Sequence, residues 1–184
     1  MKMIAVMVAS VMLMSGSVGA ATVIQTTTPS SLAIWLESPV QPARAGIIIR
    51  QSVPLRAGQV VMYSADTEGT VHSYPDYAVL PYTMYQTSAV VVFPSGVMPP
   101  DVAPLSGFPW GGTITSPTQG MDLGQSLSSY YYPVSRAGSF AAPADDTYTV
   151  VLYMWGGISA PLSGMAAMCA YWNGNTSLTL TVLP

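Results

Sequence analysis

The chain has 184 residues, half of them apolar and only 7% charged, with a formal net charge of −3, where an ordinary soluble domain has roughly 25% charged residues. So sparse and acidic a surface cannot track phosphates, and nucleic acid is excluded as an expected partner. One cysteine, Cys169, and one histidine, His72, exclude an intrachain disulfide and the common Cys/His zinc cages; no D-x-[DN]-x-[DN]-G loop is present, so neither metal nor cofactor is expected.

Residues 1–20 carry one charge, Lys2, then an apolar run from Met3 to Met14 and the small residues Ser15-Gly-Ser-Val-Gly-Ala20. A charged start, a short apolar middle and a small-residue end make a secretory signal peptide. The run is too short for a membrane span, so none is expected after its removal. What remains, 21–184, is expected to be a single domain, secreted or held at the cell surface, by way of the periplasm if the source is bacterial. It keeps four arginines and eight carboxylates, a side-chain charge of −4. Its surface must be built largely of Ser, Thr, Gln, Gly, Pro and apolar groups, which desolvate easily. Self-association, or another surface protein, is therefore the expected partnership.

The segment from Ala21 to Ser31 is Thr-rich and extended, since Thr26-Thr-Thr28 and Pro29 oppose helix. Leu32-Ala-Ile-Trp-Leu36 is a short apolar strand, broken by Pro39 and Pro42. Gly46-Ile-Ile-Ile-Arg50 and Gln59-Val-Val-Met-Tyr-Ser64 are strands on either side of a turn at Leu55-Arg-Ala-Gly58. Between Asp66 and Gln86 tyrosines alternate with turn formers, and Ser88-Ala-Val-Val-Val-Phe93 is a buried strand. From Pro94 to Gly124 six prolines interrupt every apolar run, with one short strand expected at Gly112-Thr-Ile-Thr115. Phe108-Pro-Trp110-Gly-Gly112 sets an aromatic against a flexible turn, as a recognition loop does; equally, Trp110 can lid the core.

Tyr130, Tyr131 and Tyr132 precede Pro133, and a period-two strand follows from Asp145 to Trp155. Tyr148, Val150, Leu152 and Met154 share one face, and Thr147, Thr149, Val151, Tyr153 and Trp155 the other. Gly156-Gly157 is expected to end it. Ala166–Trp172 and Thr176–Leu183 flank Asn173-Gly174, the preferred dipeptide of a two-residue hairpin. In that hairpin Cys169 would lie opposite Leu178 and Ala167 opposite Leu180. A short helix over 163–172 is the competing reading.

Short strands, frequent turns and no long amphipathic helix predict an all-β fold, an antiparallel immunoglobulin-like β-sandwich with long Pro/Gly-rich loops. Catalysis finds little support. His72 sits in a Tyr-rich turn without a G-x-S-x-G elbow elsewhere, and neighbouring Asp145 and Asp146 point to opposite sides of a strand opening rather than at one substrate bond. No catalytic residue is assigned, and the chain is expected not to be an enzyme.

Ala142-Pro-Ala-Asp-Asp-Thr-Tyr-Thr-Val-Val-Leu-Tyr153 resembles the "P-A-G-T-Y-T" opening of a late strand in bacterial chaperone-usher fimbrial subunits and their spore-coat-like relatives. Asp145-Asp146 stands where that family has Gly, a further strand pair follows, and the Pro-rich middle is longer. The resemblance implies an incomplete sandwich whose open edge takes an extended segment from the next subunit. The segment Thr22 to Thr28, headed by Thr22, Val23, Ile24, Gln25 and Thr26, would be the donor. Val23 and Ile24 are consecutive, so only one can point inward, and a frayed or self-paired N-terminal strand is the other reading.

These readings make the chain an exported structural or assembly subunit of a surface filament or coat. The alternative is a carbohydrate- or protein-binding module in which Trp110, Tyr130, Tyr131 and Tyr132 form a stacking surface for a glycan or partner.

Overall fold

The computed structural model describes residues 20–29, 32–38, 43–73, 83–116, 119–124, 130–159, 166–172 and 175–184. All but the last residue of the expected signal peptide lies outside them. In chain order the strands are β1 (Thr22–Pro29), β2 (Leu32–Ser38), β3 (Ala43–Leu55), β4 (Val60–Ser73), β5 (Thr83–Phe93), β6 (Val102–Pro104), β7 (Thr113–Ile114), β8 (Gln119–Gly124), β9 (Tyr130–Ala141), β10 (Asp146–Ser159), β11 (Ala166–Trp172) and β12 (Asn175–Val182).

One sheet has the order β1-β12-β4-β11-β2 with β9 on the other side of β4; the second has β6-β3-β10-β5-β7 with β8 also on β5. Register shows that several of these short strands are halves of one line. Pro29 pairs with Asn175 and Leu32 with Trp172, so β1 and then β2 follow β12 and then β11 without loss of phase. Both β12 and β11 lie antiparallel along β4. The first sheet is thus four lines, β1/β2, β12/β11, β4 and β9, and the second is β6, β3, β10, β5 and β7/β8. The antiparallel all-β sandwich expected from the sequence is present, and its strand order refines the immunoglobulin-like label to the two-sheet jelly roll.

The Asn-Gly hairpin does not form. β11 and β12 do not pair with each other, and Cys169 lies in register with Trp35 on one side and His72 on the other, not with Leu178. A hairpin would satisfy one edge of each arm locally, whereas the extended course pairs both arms on both edges. Asn173 and Gly174 themselves lie outside the described residues. Residues 166–172 form a strand, which excludes the helical alternative there. β10 also outruns its predicted end. Gly156 and Gly157 pair with Arg44 and Ala43 on one side and with Gln86 and Tyr85 on the other, and this two-sided pairing holds them extended.

The core between the sheets joins Val53 and Leu55 of β3, Val61, Tyr63 and Ala65 of β4, Val90 and Val92 of β5, the predicted Tyr148/Val150/Leu152/Met154 face of β10, and Leu178 and Leu180 of β12. A bulge on β3 adds to it. Leu152 pairs with Ile49 but Tyr153 with Ile47, so Ile48 is the extra residue. Ile48 and Ile49 both pack inward while Ile47 packs on the opposite face, which uses all three residues of the Ile47-Ile-Ile49 run.

Candidate functional site

From Val151 onward the second face of β10 is also apolar, and there it is covered. Val151, Tyr153 and Trp155, with Ala45, Ala89, Val91 and Phe93, form a cluster on the outer side of the second sheet, beneath Val97, Leu105, Phe108 and Trp110. The Pro-rich segment after β5 folds across this face through successive tight turns, with Val97 N donating to Pro94 O (3.3 Å), Phe108 N to Leu105 O (3.1 Å), Trp110 N to Gly107 O (2.8 Å) and Gly112 N to Pro109 O (3.0 Å). Gly112 closes the cover against the sheet. A Cβ there would lie 2.6 Å from Val91 Cγ1 and 2.7 Å from Phe93 Cε1, a separation no side chain tolerates.

Of its two sequence readings, Trp110 takes the lid. It is half-buried, its ring centroid lies 5.0 Å from that of Phe108 and 5.4 Å from that of Tyr153, and Nε1–H donates to Ser106 O at 3.1 Å. Its φ of +51° is left-handed, a conformation that costs a residue with a Cβ about 1–2 kcal/mol and is here held by the packing. Tyr130, Tyr131 and Tyr132 instead begin β9 on the other sheet, in register with Val71, Thr70 and Gly69 of β4. The structure therefore places Trp110 in a turn over the second sheet and the three tyrosines together on a strand of the first.

Beside the lid, the same segment leaves a groove of about 690 Å³ over β3 and β10. Arg50 and Ser52 of β3 and Thr149 of β10 form its floor, and Gly96 to Asp101 form its wall. Arg50 Nη1–H donates to Asp101 Oδ1 at 3.1 Å, and the hydroxyls of Ser52 and Thr149, paired across the ladder, are 3.1 Å apart. The ion pair is open to water, 54% and 80% exposed, so it contributes at most about 1 kcal/mol to stability. The wall is fixed from beneath. Tyr153 Oη–H donates to Pro100 O (2.9 Å) and Ile47 N–H to Asp101 O (2.9 Å). Burial pushes the Tyr153 phenol well above its usual range; the charge of Asp101 adds to this and that of Arg50 opposes it.

The adjacent carboxylates divide their work between two turns. Asp145 Oδ1 accepts from Ala57 N–H at 2.7 Å in the β3–β4 turn, while Asp146 Oδ2 accepts from Ser95 N–H at 2.9 Å in the turn after β5. Ser95's side chain, then its amide, holds the Asp146 carboxyl below the ordinary range.

At the far sheet, Thr22, Val23, Ile24, Gln25 and Thr26 lie in β1, paired with Val182 through Leu178 of the chain's own β12. Ile24 packs on the core and Val23 is 55% exposed, so one of the two consecutive apolar residues points inward as the pleat requires. Thr26 Oγ1–H donates to Gln51 Oε1 of β3, tying β1 to the opposite sheet. Among the described residues, no helix is long and apolar enough to cross a membrane.

No protein-family model matches the chain, and no curated protein matches its sequence. Solved structures resemble it in β-rich architecture. A chain of infectious bursal disease virus, Gx strain, is 9% identical at a TM-score of 0.40, over 89% of this chain and 40% of that one. A lipoprotein of Bacteroides thetaiotaomicron is 10% identical at 0.38, over 94% and 92%. A sugar-binding protein, the EclA C-terminal domain, is 12% identical at 0.32, over 92% and 82%. This chain spans about two fifths of the viral chain. None of the three is a fimbrial or spore-coat subunit, and the resemblance to that family stands on Ala142–Tyr153 and the general layout of the chain, the leader, the Thr-rich start and the strand-ending Ser177-Leu-Thr-Leu-Thr-Val182.

Proposed function

We propose that this chain is an exported, non-catalytic structural subunit that assembles into a surface filament or coat by pairing strands at the β1 edge. The observation that carries the reading is the chemistry of that edge. β1 pairs only with β12 among the described residues; Thr22 to Thr28 hold no charge and no proline, and the strand's one proline, Pro29, stands at its last position. Edge strands that stay single are usually blunted by lysine, proline or a bulge. Here Val23, Gln25 and Thr27 face solvent with none of these over seven residues. The donor role implied by the fimbrial resemblance is recast: β1 occupies its own sheet, so it serves as an edge to which a second copy adds rather than as a strand given away. Between Thr22 and Thr27 the N–H and C=O groups on the side away from β12 supply the bonds, and low charge removes the repulsion that keeps most surfaces apart.

Sedimentation velocity on the chain from Ala21, compared with a Val23→Lys/Gln25→Lys/Thr27→Lys variant, tests this. The parent is expected to form concentration-dependent oligomers, and the variant to stay monomeric with an unchanged far-ultraviolet spectrum, because lysines along an edge strand block the addition of a further strand. A monomeric parent at every concentration, or a variant that still assembles, overturns the reading.

A further inference from the structure

The groove beside the aromatic lid is distinct from the β1 edge, and its chemistry is specific. We propose that it binds a short neutral saccharide, held by Arg50 and Asp101 on one side and by the Ser52 and Thr149 hydroxyls on the floor. At about 690 Å³ it falls within the range of small-molecule sites.

Three features select the ligand class. Charge comes first: Arg50 and Asp101 neutralise each other at 3.1 Å, so the groove offers no net attraction to an anion or a cation. The second is the mixture of donors and acceptors. A guanidinium has five N–H groups, of which the 3.1 Å bond engages one, and Asp101 retains a second oxygen. Ser52 and Thr149 share one bond at 3.1 Å and keep further donor and acceptor capacity. Ligand hydroxyls, each both donor and acceptor, match such a set better than a carboxylate or an ammonium does. The third is the wall, where Val97, Met98 and Pro100 present C–H surface, with Met98 90% exposed and its thioether free to adapt. A sugar ring offers C–H faces and hydroxyl edges together.

The wall is set before any ligand arrives. Tyr153 Oη–H on Pro100 O and Ile47 N–H on Asp101 O anchor it to the sheet at 2.9 Å each, which lowers the ordering cost of binding. With no aromatic ring among the lining residues, affinity should rest on hydrogen bonds and lie near the millimolar range, about 1 mM in Kd.

Amide chemical-shift titration of the ¹⁵N-labelled chain from Ala21 tests the proposal, using gluco-, manno- and galacto-configured neutral trisaccharides and a uronic-acid trisaccharide as probes. At least one neutral probe is expected to shift the amides of Ser52, Thr149 and Gly96 to Asp101 saturably, with the uronic probe weaker. Arg50→Ala and the pair Ser52→Ala/Thr149→Val are each expected to weaken binding about tenfold or more, as the loss of charge-assisted or paired hydrogen bonds implies, whereas Thr149→Ser retains it. The groove residues are exposed or half-buried, so the spectra also report whether each variant stays folded. Saturable shifts confined to other surfaces, preference for the uronic probe, or no neutral binding up to about 20 mM would overturn the assignment. The Val23/Gln25/Thr27 lysine variant should bind saccharide as the parent does, so failure of the assembly reading leaves this result distinct.

Discussion

Replacing Trp110 separates a lid from a recognition surface. In Trp110→Ala the chain loses a half-buried indole, ring contacts at 5.0 Å to Phe108 and 5.4 Å to Tyr153, and the 3.1 Å bond from Nε1 to Ser106 O. Full truncation of a buried aromatic costs about 3–5 kcal/mol, and partial exposure places this one near the lower end, about 3 kcal/mol with its ring contacts included. Trp110→Gly deletes the same side chain but also the Cβ that makes a φ of +51° costly. The usual order of Ala and Gly should therefore invert, with the glycine variant more stable than the alanine one by about 1 kcal/mol. Equilibrium urea unfolding followed by near-ultraviolet circular dichroism measures both differences. If Trp110→Ala falls within about 0.5 kcal/mol of the parent, the size of an ordinary surface change, Trp110 does not hold the outer cluster together. A glycine variant less stable than the alanine one would remove the left-handed backbone from the account.

Leu178→Ala opens a void at a fully buried position between the sheets and should cost about 2–5 kcal/mol, read as a lower urea midpoint with an unchanged slope. Asp146 gives a pH signature. Its carboxyl is held low in the folded chain by Ser95, so its contribution is present above the ordinary aspartate value near 3.9 and disappears as pH falls through the lower folded value. The gap in urea midpoint between the parent and Asp146→Asn should therefore be widest near neutrality and close below about pH 4; a gap that does not change with pH would show that the carboxylate charge is not what clips the Ser95 turn.

Strands were legible wherever a side-chain period was strong. Ser88 to Phe93 is buried throughout, and both faces of Thr147 to Trp155 are used as their alternation required. The Asn-Gly signal failed because it is local, whereas 166–172 and 175–182 are each claimed from both sides by residues more than ninety positions away, Leu32 to Trp172 among them. The Ile47-Ile-Ile49 run could be read as a strand but not as a bulge, since the extra residue is defined only by its partner on β10. The groove was least visible. Ser52 meets Thr149 through the β3–β10 register, and Asp101 reaches Arg50 from a loop, so no segment of the sequence contains the constellation. The one available hint was that the Thr149 face of β10 was too apolar farther along to be left uncovered.

A pleated line has a reading frame of two, and the interrupted lines of this fold keep it. From Pro29 to Leu32 and from Trp172 to Asn175 the two neighbours skip equal lengths of chain. Along β4, six positions from Tyr171 to Ser177 span four from Asp66 to Thr70. Along β5, five positions from Ile114 to Gln119 span three from Ser88 to Val91. Each mismatch is zero or two, so the backbone pairing keeps its phase across each break. A single residue inserted before β12 would shift that frame and turn Leu178 and Leu180 outward, while two would restore it. Changes of length at these breaks should be tolerated in pairs, making the joints hinges of sequence length rather than of motion.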